Sequence, residues 1–186
     1  MRIGIDIDGV ITNLEVFELE YASKFIKKTG IGIMNDLSKY SVKEAFHWNE
    51  EEEDEFWEWC IQEFVENKPR TFASEVINKL KEENEIYIIT ARTLKELDNM
   101  QEVTKKFLQK YNINYDKIIF ADEDKLQTCI EQGIDLMIED KPSNVMKIST
   151  KIPVLCMDAR YNRECEGENI TRVFSWYNVL EKIEEM

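Results

Sequence analysis

The sequence predicts an α/β protein: a parallel β-sheet with helices on both faces and a small helical insertion directly after the first strand. Three observations predict it. Short apolar runs of strand length recur along the chain, helical patterns lie between the later ones, and residues 14–69 break that alternation with helical patterning alone. The first run, Arg2 to Ile7, alternates and then turns continuously apolar, as a short buried strand does. Ile86–Ile89, Ile118–Phe120, Leu136–Ile138 and Val154–Met157 supply the other strands. Between them, Thr93-Leu94-Lys95-Glu96 has capping-box spacing and opens a helix with Leu94, Leu97, Met100, Val103, Phe107 and Tyr111 on one face. Leu126 and Ile130 belong to a shorter helix, and Pro142 suits the first turn of another.

The segment 14–69 contains two or three helices, separated by Thr29-Gly30-Ile31-Gly32 and by Asn49. Its end falls near Lys68-Pro69-Arg70, because proline disfavours helix in the residue before it. The expected organisation is therefore an α/β core of residues 1–13 and 70–186 with a helical unit, 14–69, inserted into it. The acidic run Glu50 to Glu55 reads as a solvated helix start favoured by the helix dipole. Aromatic residues are dense just there: Phe46, Trp48, Phe56, Trp57 and Trp59. At about 100° per residue Trp57, Ile61 and Phe64 share a stripe, with Trp59 about 200° from Trp57. Either both faces pack inside the insertion, the usual fate of aromatic residues, or Trp59 or Trp48 closes over a ligand. His47, the only histidine, has no partner at ligand spacing and reads as a packing or surface residue.

Composition excludes several classes of function. The 186 residues are 43% hydrophobic and 33% charged, a globular balance. Lys plus Arg number 24 against 38 Asp plus Glu, a net charge of −14 that repels extended DNA or RNA. A small anionic substrate is compatible with that charge, since one bound cation inverts the local sign. No segment approaches the ~20 apolar residues of a membrane span, and Met1-Arg2-Ile3-Gly4-Ile5-Asp6 does not read as a signal peptide. Cys60, Cys129, Cys156 and Cys165 show no CxxC spacing, so reduced thiols in a cytoplasmic protein are expected.

The chemistry collects at the strand ends. Asp6 and Asp8, in Asp6-Ile7-Asp8-Gly9-Val10, are two acids at the carboxyl end of a buried strand, a costly placement unless a cation is present. Gly9 lets the chain turn there and brings backbone N–H groups close to an anion. Thr90 ends the second strand with a hydroxyl suited to a phosphate oxygen. Lys125, opening a helix after the third strand, is suited to neutralise charge on a transferred phosphoryl group. Glu139-Asp140 ends the fourth strand with a second acid pair, which can complete an oxygen-rich magnesium site. A parallel sheet places these ends on one edge, where the ligand crevice of open α/β sheets lies. Arg92 reads equally as a phosphate contact or a salt-bridge partner, and Asp122 and Asp124 as loop or helix-cap residues. Arg160, Arg163 and Glu164 fall in a polar loop to which the sequence assigns no role.

In that order the motifs resemble those of the haloacid dehalogenase superfamily of phosphohydrolases. Asp6-Ile7-Asp8-Gly9-Val10 is similar to its first motif, Thr90 to its second, Lys125 to its third and Glu139-Asp140 to its fourth. The resemblance implies a Rossmann-type core and makes the insertion a C1-type cap. Ile89-Thr90-Ala91-Arg92 and Leu136-Met137-Ile138-Glu139-Asp140-Lys141-Pro142 further resemble the 5′(3′)-deoxyribonucleotidase-type proteins. Those relatives often carry Asp-Asp at Glu139-Asp140 and a polar residue at Ala91. The resemblance implies a magnesium-dependent phosphatase in which Asp6 is the nucleophile and Asp8 the general acid and base. Thr90 and Lys125 would clamp the phosphoryl oxygens, and Mg²⁺ would be held by Asp6, the Asp8 carbonyl and Asp140. The substrate would be a small phosphate monoester such as a (deoxy)nucleoside monophosphate. Phosphotransfer or mutase activity and a non-catalytic phosphate-binding module are the alternatives. A receiver domain is disfavoured, because here Lys125 precedes the last acid pair and the long insertion follows the first strand.

Overall fold

Ile3 and Ile5 sit at the middle of the sheet because they are the alternate residues of the first strand and are wholly apolar. The structure, a computed structural model, describes residues 1–33, 36–92, 99–121 and 124–186. Its strands are β1 (Arg2–Ile5), β2 (Glu85–Thr90), β3 (Lys117–Phe120), β4 (Leu136–Glu139), β5 (Val154–Met157) and β6 (Ile170–Val173). All pair in parallel, in the order β3-β2-β1-β4-β5-β6. Ile3 is in register with Ile86 on one side and Leu136 on the other, and Ile5 with Ile88 and Ile138. The chain thus leaves β1 in one direction to build β2 and β3, then returns to its other side for β4. That reversal is the switch point where α/β sheets open a crevice.

The two-residue alternation of each strand separates two cores. Ile3, Ile5, Ile86, Ile88, Leu136, Ile138, Leu155 and Met157 face α4 (Ala73–Lys81), α5 (Met100–Lys110) and α8 (Trp176–Glu184). Ile89, Met137, Val154 and Cys156 face α6 (Lys125–Gln132) and α7 (Pro142–Ile148). The sheet is covered on both faces, as the sequence predicts. Full burial of each such isoleucine contributes about 1.5–3 kcal/mol, the reserve against which buried charge at the sheet edge must be set.

Two local expectations are corrected, the end of the first strand and the buried face of the helix that Lys125 opens. The first strand stops at Ile5 instead of Ile7, and Ile7–Ile11 form a wide turn closed by the Thr12 N–H to the Ile7 carbonyl, 2.9 Å. With Gly9 at φ +90°, this turn buries Ile7, Val10 and Ile11 together, which a continuing strand with alternating faces cannot do. The capping box at Thr93–Glu96, with Leu94 and Leu97, lies outside the described residues; the rest of that face, Met100, Val103, Phe107 and Tyr111, packs inward. On α6 the buried positions are Lys125 and Cys129, whereas Ile130 is exposed. Beyond the predicted elements the structure adds α4, β6 and α8.

Between β1 and β2 the insertion holds α1 (Leu14–Thr29), α2 (Val42–Phe46) and α3 (Glu50–Val65), with no strand among its described residues. Asn13 caps α1 by accepting from the Val16 N–H, and Gly30, at φ +75°, ends it. Asn49 and Glu52 form a reciprocal capping box at the start of α3, with four glutamates in its first turn. These helices close on an aromatic cluster that includes Phe17, Phe25, Phe46, Trp48, Phe56 and Phe64. At the junction the Arg70 N–H bonds to the Ile11 carbonyl at 2.7 Å, and its guanidinium reaches the Gly9 carbonyl at 2.9 Å.

Candidate active site

The carboxyl edge of the sheet gathers the strand-end residues. Asp6, one residue past β1, keeps its N–H on the Ile138 carbonyl of β4, 3.1 Å, so its side chain emerges beside that strand. Lys125 opens α6, whose N-cap Asp124 accepts from the Gln127 N–H. The Lys125 ammonium lies 2.7 Å from Asp6 Oδ1 and 2.8 Å from Glu139 Oε2. Glu139 is fully buried, and its carboxylate also accepts from the N–H groups of Asp140 and Lys141 and from Asn144 Nδ2, at 3.0, 3.1 and 3.1 Å. Asp140 is also fully buried. Tyr161 donates its hydroxyl to Asp140 Oδ2, while Oδ1 has no hydrogen-bond partner among the described residues. Asn162 Nδ2 holds the Asp140 and Met157 carbonyls, each at 2.8 Å. Gly9 approaches so closely that a Cβ there would fall 1.8 Å from Asp140 Oδ2.

Asp8, on the turn, is gripped by Arg92: Nη2 to Oδ1 at 2.7 Å and Nε to Oδ2 at 2.8 Å. Of the two readings of Arg92, the salt bridge is the one the geometry realises. Thr90 is buried, and its hydroxyl accepts from the Arg92 N–H at 3.3 Å.

A cavity of about 350 Å³ opens over these groups. Asp6, Asp8, Thr90, Lys125 and Glu139 line its floor, and Glu18, Tyr40, Glu53, Trp57 and Phe64 of the insertion line its roof. The aromatic stripe therefore divides differently from either sequence reading. Trp57 and Phe64 face the cavity, whereas Trp48 packs on Phe25, Phe46 and Phe56, and Trp59 on Tyr21 and Phe25. His47 is exposed on the surface. The site residues that sequence reasoning missed are Asn144, Tyr161 and Asn162. Asn144 had a signal, since it sits in the first turn of the Pro142 helix just after the acid pair. Tyr161 and Asn162 had none, because their partner is far along the chain.

The family model for the "5′ nucleotidase, deoxy (pyrimidine), cytosolic type C protein" matches residues 1–185 of this sequence. The chain belongs to that family. A nucleotidase of Clostridium acetobutylicum is 31% identical over 191 residues, covering 100% of this chain and 96% of that protein. A protein of Bacillus subtilis named as a candidate nucleotidase is 29% identical over 188 residues, covering 97% and 92%. Among solved structures, a haloacid dehalogenase-like hydrolase from Streptococcus pneumoniae superposes with a TM-score of 0.68 at 13% identity, over 98% of this chain and 97% of that one. A β-phosphoglucomutase from Clostridium difficile gives 0.58 at 18% identity, over 99% and 95%. At such identities these two establish the fold, the haloacid dehalogenase-type Rossmann core. The nucleotidase-family chain is accordingly a phosphatase of that superfamily.

The electrostatics of this nucleotidase-family site follow from three acids buried around one lysine. Burial pushes the Asp6 carboxyl up to about 7 against the pull of Lys125, and the charges of Glu139 and Asp8 add to the rise. Burial and then the charges of Glu139 and Asp6 hold Asp140 well above the carboxylate range. For Glu139 burial acts upward too, but Lys125 and the N–H donors outweigh it and keep the group below its ordinary value. Lys125, despite its burial, is held protonated by Asp6 and Glu139. Two carboxyls displaced toward their neutral forms mark a site short of positive charge. Asp6, Glu139 and Asp140 each offer an oxygen within 4.8 Å of the others. With the unpartnered Asp140 Oδ1, this all-oxygen set fits a hard divalent cation. Glu139 is already saturated by hydrogen bonds, which leaves Asp6 and Asp140 as the acids with free lone pairs.

Proposed function

We propose that this chain is a magnesium-dependent phosphatase of a small phosphate monoester, a nucleoside monophosphate, acting through an aspartyl-phosphate on Asp6. The observation that carries the reading is the convergence of Asp6, Asp8, Thr90 and Lys125 on one roofed cavity beside the buried, partly unpartnered Asp140. Asp6 attacks phosphorus, so one difficult displacement is split into two easier ones. Asp8 gives a proton to the leaving oxygen and later takes one from the hydrolytic water. Lys125 and the Thr90 hydroxyl hold the non-bridging oxygens. Mg²⁺, held by Asp6, the Asp8 carbonyl and Asp140, would supply charge neutralisation at the phosphoryl group. Glu139 keeps Lys125 aimed at Asp6 and leaves the metal to Asp140.

In this reading residues 1–13 and 70–186 form the catalytic core and 14–69 a cap that excludes water and selects the leaving group. Trp57 and Phe64 offer an aromatic surface suited to a nucleobase, which supports the nucleotide class suggested by the names of the relatives. The four buried free thiols support a reducing, cytoplasmic setting. No helix among the described residues is long and apolar enough to cross a membrane.

The test is phosphate release from a panel of ribo- and deoxynucleoside monophosphates and sugar phosphates, with and without Mg²⁺. Magnesium-dependent release from a nucleotide, abolished by Asp6→Asn in a folded protein, is the expected result. Full activity in Asp6→Asn would end the nucleophile assignment, and release from sugar phosphates alone would end the nucleotide one.

A further inference from the structure

Arg92 is not accounted for by the mechanism above, yet it is among the most buried charges of the molecule, 2% exposed. Its fork meets both oxygens of Asp8 at 2.7 and 2.8 Å, a planar, two-point grip that fixes the carboxyl plane as well as its position. A third contact, the Thr12 hydroxyl at 3.3 Å from Asp8 Oδ1, completes the hold. The guanidinium is itself fixed by two rings: Phe64 of α3 at 5.4 Å and Phe107 of α5 at 5.3 Å. So the side chain that must meet the leaving oxygen is set by an arginine wedged between the core and the insertion. Asp8 itself sits on the turn after β1, at φ −81° and ψ 118°.

We infer that Arg92 is the positioning residue for Asp8, aligning its carboxyl with the ester oxygen that leaves as the Asp6–phosphorus bond forms. The inference rests on Asp8 acting as the general acid, as read above. In the step concerned, an Asp6 oxygen bonds to phosphorus, the phosphorus–ester oxygen bond breaks, and the departing oxygen takes the Asp8 proton. A misaligned acid matters only when the leaving oxygen is basic enough to need that proton. An alkoxide leaving group, such as a nucleoside 5′-oxygen, needs it. p-Nitrophenolate, stable as an anion, leaves without it.

The experiment compares a nucleoside monophosphate with p-nitrophenyl phosphate in the Mg²⁺-loaded wild type, Asp8→Asn, Arg92→Lys and Arg92→Met. Arg92→Lys keeps the cation and loses the planar fork, so it carries the test if Arg92→Met fails to fold. The expected result is a fall in kcat/KM of roughly tenfold or more on the nucleotide; this quantity ends at departure of the ester oxygen, so the later hydrolysis in which Asp8 acts as base does not enter it. On the aryl ester Arg92→Lys should fall several-fold less, and Asp8→Asn should show the same split. Equal losses on both esters in Arg92→Lys, with the split kept in Asp8→Asn, would overturn the inference alone and make Arg92 a phosphate clamp through Nη1, which has no hydrogen-bond partner among the described residues. Equal losses in Asp8→Asn would remove the acid role of Asp8 and the inference with it.

Discussion

Glu18 of α1 is 3% exposed, lines the cavity roof, and has Arg160 Nη2 at 2.9 Å from its Oε2. Burial nevertheless outweighs that partner and pushes its carboxyl from 4.5 up to about 8. The folded chain therefore keeps this proton across a range where the unfolded chain has released it. The stabilisation is complete below pH 4.5 and lost as pH rises through about 8, at no more than about 1.4 kcal/mol per pH unit. Glu18→Gln, which cannot titrate, should flatten that decline. Urea unfolding of both proteins at pH 5 and pH 7.5 checks it, and an unchanged difference between the two pH values would sink it. Single residues were unevenly legible in the sequence. Asp6, Asp8, Thr90 and Asp140 could be picked out because each stands at or just past the end of an apolar run, a placement with a cost, and Lys125 because it opens the helix that follows one. Glu18 was not, since an acid on an amphipathic helix looks solvated until a second element, here the Arg160 loop, covers it.

Elements were legible in proportion to how locally their reasons are written. Ile86–Ile89 and Val154–Met157 are strands by their own composition, because both of their faces are buried. Ile170–Val173 escaped notice because Thr171 and Arg172 break its apolar run, whereas β3, the other edge strand, keeps Ile118-Ile119-Phe120 unbroken; Arg172 serves Asp158 and Asn162. The first strand was read two residues too long because Ile7 continues the apolar pattern, and only the Gly9 turn shows where it stops. On α3 the local reason is strong: Asn49 accepts from the Glu52 N–H at 3.0 Å, and Glu52 accepts from the Asn49 N–H at 2.8 Å. Removing this cap with Asn49→Ala should cost about 1 kcal/mol. In a chain of this size that is a fall of about 2–4 °C in Tm. Calorimetry would show it, and an unchanged Tm would mean that aromatic packing alone holds the start of α3.

At the scale of the molecule, the insertion and the α/β layer meet through the loop after β5, which the sequence left without a role. Arg160 in that loop donates its N–H to Glu15 of α1 at 3.0 Å and a guanidinium nitrogen to the Leu37 carbonyl at 2.6 Å, a second contact reaching the Lys39 carbonyl. Its other terminal nitrogen serves Glu18. The next residue, Tyr161, holds Asp140 and stacks edge-on against Tyr40 of the insertion, with centroids 5.0 Å apart. One short loop thus fixes a proposed metal ligand from one side and the proposed cap from the other. Arg160→Met should loosen the cap without unfolding the core. At pH 6 the variant leaves no stranded charge, because Glu18 holds its proton up to about pH 8. Hydrogen exchange should then quicken in α1 and the segment around Leu37–Tyr40, while amides of β1, β2 and β4 keep their protection. With the roof less firmly seated, KM for the nucleotide should rise more than kcat falls. Quickened exchange across β1 and β4 as well would show instead that the loop stabilises the whole sheet edge, and that insertion and core open as one unit.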